Sequence, residues 1–363
     1  MMMNDDINLK IKGVAEEIYK KIKKKEQPNL DVPLRSLTNV SYDDNEGYFK
    51  LLGKKKTRTL TASTIKTFAQ SLRMMVLSKQ LVDSKDLATK REVYYVSKNW
   101  GDAKFNDQPE SDSTMDDVEA MLLTQRERMG FVPEEDGGAV TGKLKIIEKD
   151  VETGKTNTVD CTKFVSGAYN IPNQVEDLEF QTDAKFILAI ETAGMFQRLV
   201  KHKYWEKTNC LLVSLKGVPS RACRRFIRRL SDEHNLPVYV FTDCDFYGFM
   251  NIYRTLKVGS GNAAHINKFF CVPKAQFIGL TPQDIIDYKL PTHKLKDVDV
   301  KRGKDALKND PFVHHHKEWQ KAIKQLNDMK VRAEQQALAV GGLNFVMEKY
   351  LPDKLKNHKT WLP

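Results

Sequence analysis

The chain has 363 residues, of which 40% are hydrophobic and 29% are charged. This composition excludes a disordered chain and predicts a globular protein of two domains, each with its own core. The 59 lysines and arginines outnumber the 48 acidic residues, and the formal net charge of +11 suits a polyanionic partner such as nucleic acid. Five scattered cysteines and no apolar run of membrane-spanning length predict a reduced, cytoplasmic protein without membrane contact.

Residues 1–60 are predicted to form an N-terminal arm and a short hairpin. Residues 8–25 place apolar side chains on one helical face and lysines on the other, so we expect the apolar face to dock on another surface. Residues 48–52, followed by the basic turn Lys54–Lys56, predict the hairpin.

Residues 61–150 are predicted to form a winged-helix domain. Its helices are expected at residues 65–81, from a start near Thr89, and at residues 115–129. The second helix begins with a capping box, in which Thr89 and Glu92 satisfy each other's backbone N–H groups. The alternating segment 143–148 predicts the wing strand, and residues 151–180 are expected to be a linker.

Residues 181–363 are predicted to form an α/β domain with a helical extension. Strands are expected at 185–190, 210–215, 237–242 and 275–280, with helices at 191–207, 220–234 and 246–257 between them. Strands that alternate with helices indicate a mainly parallel sheet flanked by helices. The fold class of the whole chain is therefore α/β, in a multidomain α+β arrangement.

Three acidic residues follow two of these predicted strands. Glu191 ends the first strand, and Asp243 and Asp245 follow the third. Because parallel strands bring their carboxyl ends to one edge, the three carboxylates are expected to converge there. Their mutual repulsion requires a cation, for which Mg²⁺ is the natural choice. For the Asp-x-Asp pair alone, the alternative is a polar loop in which Asp243 caps a helix.

A tyrosine and an arginine share one face of the capped helix. Arg91 and Tyr95 are four residues apart, which places them on the same side. A phenol with a pKa near 10 attacks poorly at neutral pH, whereas an adjacent guanidinium favours the phenolate and can hold a phosphate. The alternative for a helical tyrosine is packing in a core or interface, and Tyr94 is expected to be the packed one.

The predicted helix 220–234 carries a stripe of arginines spaced three and four residues apart. Contact with a phosphate backbone is the prediction, and a solvated basic face is the alternative. The predicted DNA contacts are Arg221, Arg224, Arg225 and Arg228 on this helix, with Lys54, Lys56 and Arg58 near the winged helix.

These motifs together resemble the family of DNA topoisomerase VI A subunits, which is related to the transesterase that opens meiotic recombination. The resemblance runs from about residue 8 to 357. The segments that carry it are Arg91–Tyr95, Glu191–Phe196 and Asp243–Gly248, together with residues 32–36, 133–137, 217–221, 299–302 and 334–337. One departure is Phe246, which stands where proline is expected and leaves every acid in place.

The resemblance implies a winged-helix domain followed by a Toprim domain. It implies that Tyr95, assisted by Arg91, forms a 5′-phosphotyrosyl link in a transient double-strand break, with Mg²⁺ held by Glu191, Asp243 and Asp245. It further implies a homodimer, in which the tyrosine of one protomer works with the acids of the other. ATP would bind the separate B subunit of topoisomerase VI in a B₂A₂ heterotetramer, and the protein would be nucleoid-associated. We expect the arm 8–25 to dock on that B subunit.

No ATP site is expected in this chain itself. Residues 137–143 have the spacing of a phosphate-binding loop, but Leu144 stands where Ser or Thr is needed and a strand follows instead of a helix. Two other functions stay open: a recombination-initiating transesterase without strand passage, and a non-catalytic DNA-binding protein of the same fold. A binder would not need Tyr95, Arg91 and the three acids, and a Toprim nuclease that uses water would not need Tyr95.

Overall fold

The structure is a computed structural model that describes residues 4–134, 136–149, 153–164 and 167–363. The chain forms two compact units. Unit 1 consists of Met1–Val40, Lys50–Glu135 and Gly261–Ile266, and unit 2 consists of Ser41–Phe49, Asp136–Ser260 and Asn267–Pro363. The short segment 261–266 therefore belongs to unit 1, although it follows most of unit 2 in the sequence.

Unit 1 is mainly helical, with short strands. In chain order, the elements of residues 4–134 are α1 (Asn4–Lys23), β1 (Asn29–Pro33), β2 (Val40–Asp43), β3 (Tyr48–Leu51), β4 (Lys55–Thr59), α2 (Ile65–Ser84), β5 (Ala88–Thr89), α3 (Lys90–Val96), α4 (Gln108–Met121) and β6 (Phe131–Val132). β2 pairs with β3, and β4 pairs with β1 in antiparallel register. The predicted basic turn is therefore wrong, because Lys55 and Lys56 lie within β4.

The apolar face of α1 packs within unit 1. Ile7 and Ile11 are buried in a cluster with side chains of α2, α3 and α4, among them Met74 and Val93. The amphipathic helix is confirmed, but its apolar face already has a partner in its own unit. Ile22, at the end of the same face, is 55% exposed, and docking of the arm on a B subunit stays a prediction.

Capping residues set the helix boundaries in unit 1. The predicted capping box at the start of α3 is confirmed, because Thr89 accepts from the Glu92 N–H and Glu92 accepts from the Thr89 N–H. α4 begins earlier than predicted, since Asp107 caps its N-terminus by accepting from the Glu110 N–H. The stretch predicted to continue this helix ends in a separate 3₁₀ turn, Arg126–Met129.

Unit 2 contains an all-β region followed by alternating strands and helices. Its strands are β7 (Ala139–Thr141), β8 (Leu144–Lys149), β9 (Thr156–Asp160), β10 (Tyr169–Asn170), β11 (Leu178–Thr182), β12 (Phe186–Ile190), β13 (Cys210–Ser214), β14 (Val238–Phe241), β15 (Ala275–Phe277), β16 (His293–Lys294) and β17 (Val331–Arg332). Its helices are α5 (Ala193–Lys201), α6 (Tyr204–Thr208), α7 (Arg221–Glu233), α8 (Arg254–Lys257), α9 (Asn267–Phe270), α10 (Pro282–Asp287), α11 (Asp297–Asn309), α12 (Pro311–His315), α13 (Lys317–Met329) and α14 (Leu351–Lys356).

The main sheet of unit 2 has the strand order β10-β7-β13-β12-β14-β15. β13, β12, β14 and β15 are parallel, whereas β7 and β10 join in antiparallel register. This confirms the predicted mainly parallel sheet. The chain passes from β12 to β13 on one side and then to β14 on the other, so the carboxyl ends of β12 and β14 flank a topological switch point, where open α/β sheets bind ligands.

The predicted wing strand belongs to a different structure. β8 pairs with β9 and β11 in a three-stranded antiparallel sheet within unit 2. The wing assignment of residues 143–148 is therefore wrong, because alternation identifies a half-buried strand but not its partners. The linker predicted at residues 151–180 is also wrong, since its described part contains β9 and β10. Among the helices that the structure describes, none is long and apolar enough to cross a bilayer.

Candidate functional site

Helix α3 presents Tyr95 to solvent and holds Tyr94 in place. Val93 is fully buried and anchors the helix on the core of unit 1. The Tyr94 hydroxyl donates to the Asn106 carbonyl at 3.3 Å, and the Lys98 ammonium lies 3.9 Å from the centre of the Tyr94 ring. Tyr95 is 58% exposed. Tyr94 is therefore the packed member of the pair, and the Tyr95 phenol is accessible.

Tyr95 and Arg91 line one cavity of about 570 Å³ in unit 1. Its wall is ordered by Gln108, whose side-chain amide donates to the Lys90 carbonyl and to Asp112. The remaining lining residues are Lys90, Tyr94, Asp112, Arg126, Pro133 and Glu134. The predicted pair is thus brought to one cavity, which is rich in charged groups and open to a polyanion.

The three predicted acids lie at the switch point of the main sheet. Ile190 and Phe241 are paired at the ends of β12 and β14, so the residues that follow them are neighbours. The Asp243 N–H donates to Oε2 of Glu191 at 2.9 Å. Asp245 is turned back by the next loop, where the Gly248 N–H donates to its Oδ1 at 2.7 Å. The predicted convergence of strand ends is observed.

Gly248 allows this loop to close. A Cβ atom there would lie 2.8 Å from the Asp243 carbonyl oxygen, a distance that real Cβ atoms do not show. The chain then continues as a π-helical turn, Gly248–Tyr253, before α8. π-turns are rare and occur frequently at functional sites.

Phe246 stands where proline is expected, and the neighbouring helix α11 leaves room for its ring. Its ring is fully buried and packs against Phe249 and the middle of α11. A Cβ atom at Gly303 of α11 would lie 2.5 Å from the tip of this ring. A glycine at this point of the helix therefore leaves the room that the larger side chain needs.

Burial and mutual repulsion disfavour the ionised forms of the three acids. Burial and the neighbouring carboxylates, Asp243 first, raise the pKa of Glu191 to about 8. Burial, and then the charges of Asp245 and Glu334, raise the pKa of Asp243 to about 6. Burial also raises the pKa of Asp245, in opposition to the Gly248 N–H and the nearby Arg332. An added cation would relieve this cost.

The donor set of this edge fits a hard divalent cation. All three side chains are carboxylates, and in the part of the chain that is described, Oε1 of Glu191 and Oδ2 of Asp243 accept no hydrogen bond. Oxygen ligands of this kind suit Mg²⁺. Within the same described residues, no group of three or more His, Cys, Asp or Glu side chains is placed so that it could hold a metal ion, so the fit rests on the chemistry of the three carboxylates.

Sequence reasoning missed the C-terminal segment that covers the acids. The Gln335 N–H donates to Oδ1 of Asp243 at 2.8 Å, and its side-chain amide donates to the Phe241 carbonyl at 2.6 Å. Arg332 lies 3.7 Å from Asp245 and 3.4 Å from Glu334. The resemblance at residues 334–337 was the signal that could have led to this segment, but about ninety residues separate it from the Asp-x-Asp motif.

The arginine stripe of α7 is used inside unit 2. Arg225 makes a bidentate pair with Glu176 at 2.6 and 2.9 Å. Arg228 pairs with Asp232 and donates to the Cys271 carbonyl at 2.7 Å. Arg224 is only 7% exposed, and Arg221 stacks on the Phe270 ring. Arg224, Arg225 and Arg228 thus have acceptors within unit 2, which weighs against the DNA contacts predicted for them, and those contacts stay a prediction.

The three basic residues predicted near the winged helix differ from one another. Arg58 donates to Ser71 and to Asp117, each at 2.9 Å, which weighs against its predicted DNA contact. Lys54 is exposed and donates weakly to the Thr38 carbonyl at 3.3 Å. Lys56 is exposed on β4. Lys54 and Lys56 therefore remain accessible to a polyanion.

Three family profiles match consecutive parts of the chain. "Type IIB DNA topoisomerase" matches residues 66–131, and "All-beta domain in DNA topoisomerase VI alpha subunit" matches residues 134–184. The profile for the Toprim domain of the topoisomerase 6 A subunit and Spo11 matches residues 186–355. These matches agree with the helical unit, the all-β region and the α/β sheet.

Curated relatives align over nearly the whole chain. The A subunit of type 2 DNA topoisomerase 6 from Methanocaldococcus jannaschii is 57% identical over 98% of this chain and 95% of its own length. Those from Methanothermobacter thermautotrophicus and Archaeoglobus fulgidus are each 38% identical, over 96% and 94% of this chain and 96% and 95% of their own lengths. With identities and coverage of this size, the chain belongs to the family of DNA topoisomerase VI A subunits.

Proposed function

We propose that this chain is the DNA-cleaving subunit of a type IIB topoisomerase and that Tyr95 is its nucleophile. The observation that carries the proposal is the contrast between two adjacent tyrosines. Tyr94 is held by Asn106 and Lys98, whereas Tyr95 projects into a charged cavity with Arg91. An accessible phenol beside a guanidinium is the arrangement that a tyrosine nucleophile requires.

The reaction is a transesterification without net hydrolysis. The Tyr95 oxygen attacks the phosphorus of a backbone phosphodiester as the phenol proton is lost to solvent. A tyrosyl–phosphate bond forms at the DNA 5′ end, the bond from phosphorus to the 3′ oxygen breaks, and that oxygen takes up a proton. Arg91, which lines the same cavity, binds the phosphate oxygens. Attack by the 3′ hydroxyl reverses the step, so rejoining the strand needs no energy source.

Glu191, Asp243 and Asp245 would hold a divalent cation, Mg²⁺ above all. When bound there, the cation stabilises negative charge on the phosphoryl oxygens and on the departing 3′ oxygen. The protein's own contribution is to fix the three carboxylates at the strand ends. Backbone N–H groups of Asp243, Gln335 and Gly248 each bind one carboxylate oxygen and so orient the side chains.

Cleavage of both DNA strands requires two copies of Tyr95, so we propose a homodimer. The relatives are named as A subunits, which implies a B subunit, and we propose a B₂A₂ assembly in which the B subunit binds ATP. In this assembly the tyrosine of one protomer and the acids of its partner act on the same phosphate. The strand passage that follows cleavage makes the overall reaction ATP-dependent.

Covalent trapping tests the nucleophile. The chain, assembled with the B subunit, is incubated with Mg²⁺, a nucleotide and end-labelled duplex DNA and is then denatured. Label should remain on the wild-type protein and on Tyr94→Phe but be absent from Tyr95→Phe. Label retained by Tyr95→Phe would refute the assignment.

Relaxation of supercoiled DNA separates the topoisomerase from a transesterase that only breaks DNA. We expect relaxation that depends on ATP and the B subunit, with the DNA resealed after each cycle. Stable double-strand breaks without relaxation, under conditions where the label is trapped, would favour the transesterase.

A further inference from the structure

The C-terminal segment 331–335 is fixed across the acid loop by backbone hydrogen bonds. The Cys244 N–H donates to the Ala333 carbonyl at 2.8 Å, and the Ala333 N–H donates back to the Cys244 carbonyl at 3.2 Å. Gln335 then binds Asp243 and Phe241. The backbone after Arg332 therefore has a defined register, and the Arg332 side chain starts from a fixed point beside the acids.

Arg332 makes only loose contacts there. Its Nη1 lies 3.7 Å from Oδ2 of Asp245 and 3.4 Å from Oε1 of Glu334, and its side chain is 28% exposed. For comparison, Arg225 binds Glu176 at 2.6 and 2.9 Å. In the parts of the chain described, no hydrogen bond from the Arg332 guanidinium is observed. Its planar set of N–H donors is thus available to a further acceptor.

A positively charged side chain is favourable at this edge, because several carboxylates meet there. The carboxylates of Glu191, Asp243, Asp245 and Glu334 lie at this edge, and when all four are ionised around a divalent cation, two negative charges remain uncompensated. A phosphodiester that approaches this edge would still meet net repulsion. A guanidinium at the same edge lowers that repulsion and can bind two phosphate oxygens in parallel.

We propose that Arg332 is a further catalytic residue of the cleavage reaction, which rests on the proposed function above. In the metal-free protein its guanidinium supplies the counter-charge for Asp245 and Glu334. With a divalent cation held by the acids, Arg332 would be released to bind the non-bridging oxygens of the phosphate that Tyr95 attacks. The cation and Arg332 therefore compete for the carboxylates, but both stabilise negative charge on the DNA phosphate.

This competition gives opposite effects on two measurements. Arg332→Gln removes a positive charge next to the acids, so the chain should bind Mn²⁺, used as the probe, about tenfold more tightly in calorimetry without DNA. The same substitution should lower the rate of covalent DNA cleavage by about 100-fold at saturating Mg²⁺ and DNA, because one charged donor to the phosphate is lost. Arg332→Lys keeps the charge but not the planar fork, so Mn²⁺ affinity should stay within about twofold while cleavage still falls.

A purely structural role for Arg332 predicts a different pattern. Its loss would then loosen segment 331–335 and weaken Mn²⁺ binding together with cleavage, and this result would overturn the proposal. Cleavage by Arg332→Gln within about twofold of wild type would overturn it as well, whatever the metal affinity. Lys349→Gln, which removes a cation paired with Asp353 elsewhere in unit 2, is the matched control and should change neither measurement.

The calorimetry is independent of the nucleophile. If Tyr95→Phe retained covalent label, the proposed function would fail, but the comparison of Mn²⁺ affinity between wild type and Arg332→Gln would still stand. If Tyr95→Phe lost the label and Arg332→Gln bound Mn²⁺ more weakly than wild type, only the inference about Arg332 would fail.

Discussion

Helix α7 and the acid edge of the main sheet both concentrate charge of one sign in unit 2, but they compensate it differently. The arginines of α7 reach acceptors on other segments, such as Glu176 and the Cys271 carbonyl. The carboxylates after β12 and β14 are mostly bound by backbone N–H groups and remain close to one another. Charge that is fully partnered contributes to the fold, whereas buried charge without a counter-ion indicates a site for a ligand.

The length of the side chain explains part of this difference. A guanidinium at the end of a long aliphatic chain can extend along the surface until it meets an oxygen. A carboxylate at the end of a β-strand is held within a few ångströms of the backbone and cannot leave its neighbours. The sequence shows both clusters equally well, but the acids are bound mainly by backbone N–H groups, with Arg332 as a loosely placed cation 3.7 Å from Asp245.

The largest expected effect comes from substitution of one of the three acids, measured as the rate of DNA cleavage. Asp243→Asn should lower DNA cleavage by at least about 100-fold, because a cation ligand is lost at the reacting phosphate. Its folding stability should not fall, since the substitution removes one of several repelling charges. Covalent trapping and urea unfolding of the same preparation measure both quantities. A clear loss of stability would mean that the Asp243 charge is structural.

Substitution of an α7 arginine should lower the stability of the fold and leave DNA affinity unchanged. Arg225→Gln breaks a half-buried bidentate pair and leaves Glu176 without its partner, which should cost about 2–3 kcal/mol of the free energy of unfolding. DNA affinity of the assembled protein should stay within about twofold of wild type. The double variant Glu176→Gln/Arg225→Gln should be less destabilised than the sum of the single variants. A large loss of DNA affinity in Arg225→Gln would instead support the predicted DNA contact of α7.

The acid edge should also make the metal-free protein sensitive to pH. The pKa of Glu191 is raised from 4.5 to about 8 and that of Asp243 from 3.8 to about 6, so the folded chain holds protons that the unfolded chain has released. The stabilising contribution of the protonated acids is complete below about pH 4 and is lost as the pH rises through about 6 and 8.

Thermal unfolding in a chelator tests this dependence. Between about pH 5 and 8 the wild type should lose about 2–5 °C more in Tm than Glu191→Gln, which cannot ionise at that position. Because the two proteins differ only at residue 191, contributions from groups that do not interact with this residue cancel in the comparison. Parallel curves of Tm against pH for the two proteins would show that ionisation of Glu191 does not destabilise the folded chain.

Local patterns predicted much of the fold. The capping box at Thr89 and the strand β12 were found within about one residue, because their signals lie in a few adjacent residues. The convergence of Glu191 with Asp243 was also predicted, since parallel strands align their ends in a general way. For the catalytic residues, the resemblance to a family added what spacing alone left open.

The sequence did not indicate which strands and charged residues pair when they lie far apart in the chain. β8 alternates like a wing strand, but its neighbours β9 and β11 place it in the all-β region of unit 2. The sequence alone does not pair Arg225 with Glu176, which lies 49 residues away, or Arg332 with Asp245, which lies far earlier in the chain. Pairing across such distances depends on tertiary packing, which leaves no periodic signal in the chain.

The smallest predicted effect concerns Lys56, an exposed cation on β4. Lys56 lies exposed on β4, and its ammonium makes no ion pair within the part of the chain that the structure describes, whereas Arg58 on the same strand is bound to Asp117. If Lys56 contacts a DNA phosphate, Lys56→Gln should weaken DNA binding about two- to threefold and reduce the slope of log affinity against log salt by about one. Arg58→Gln should instead lower stability and leave that slope unchanged. Fluorescence anisotropy with a labelled duplex at several salt concentrations distinguishes the two, and an unchanged slope for Lys56→Gln would place its charge away from the DNA.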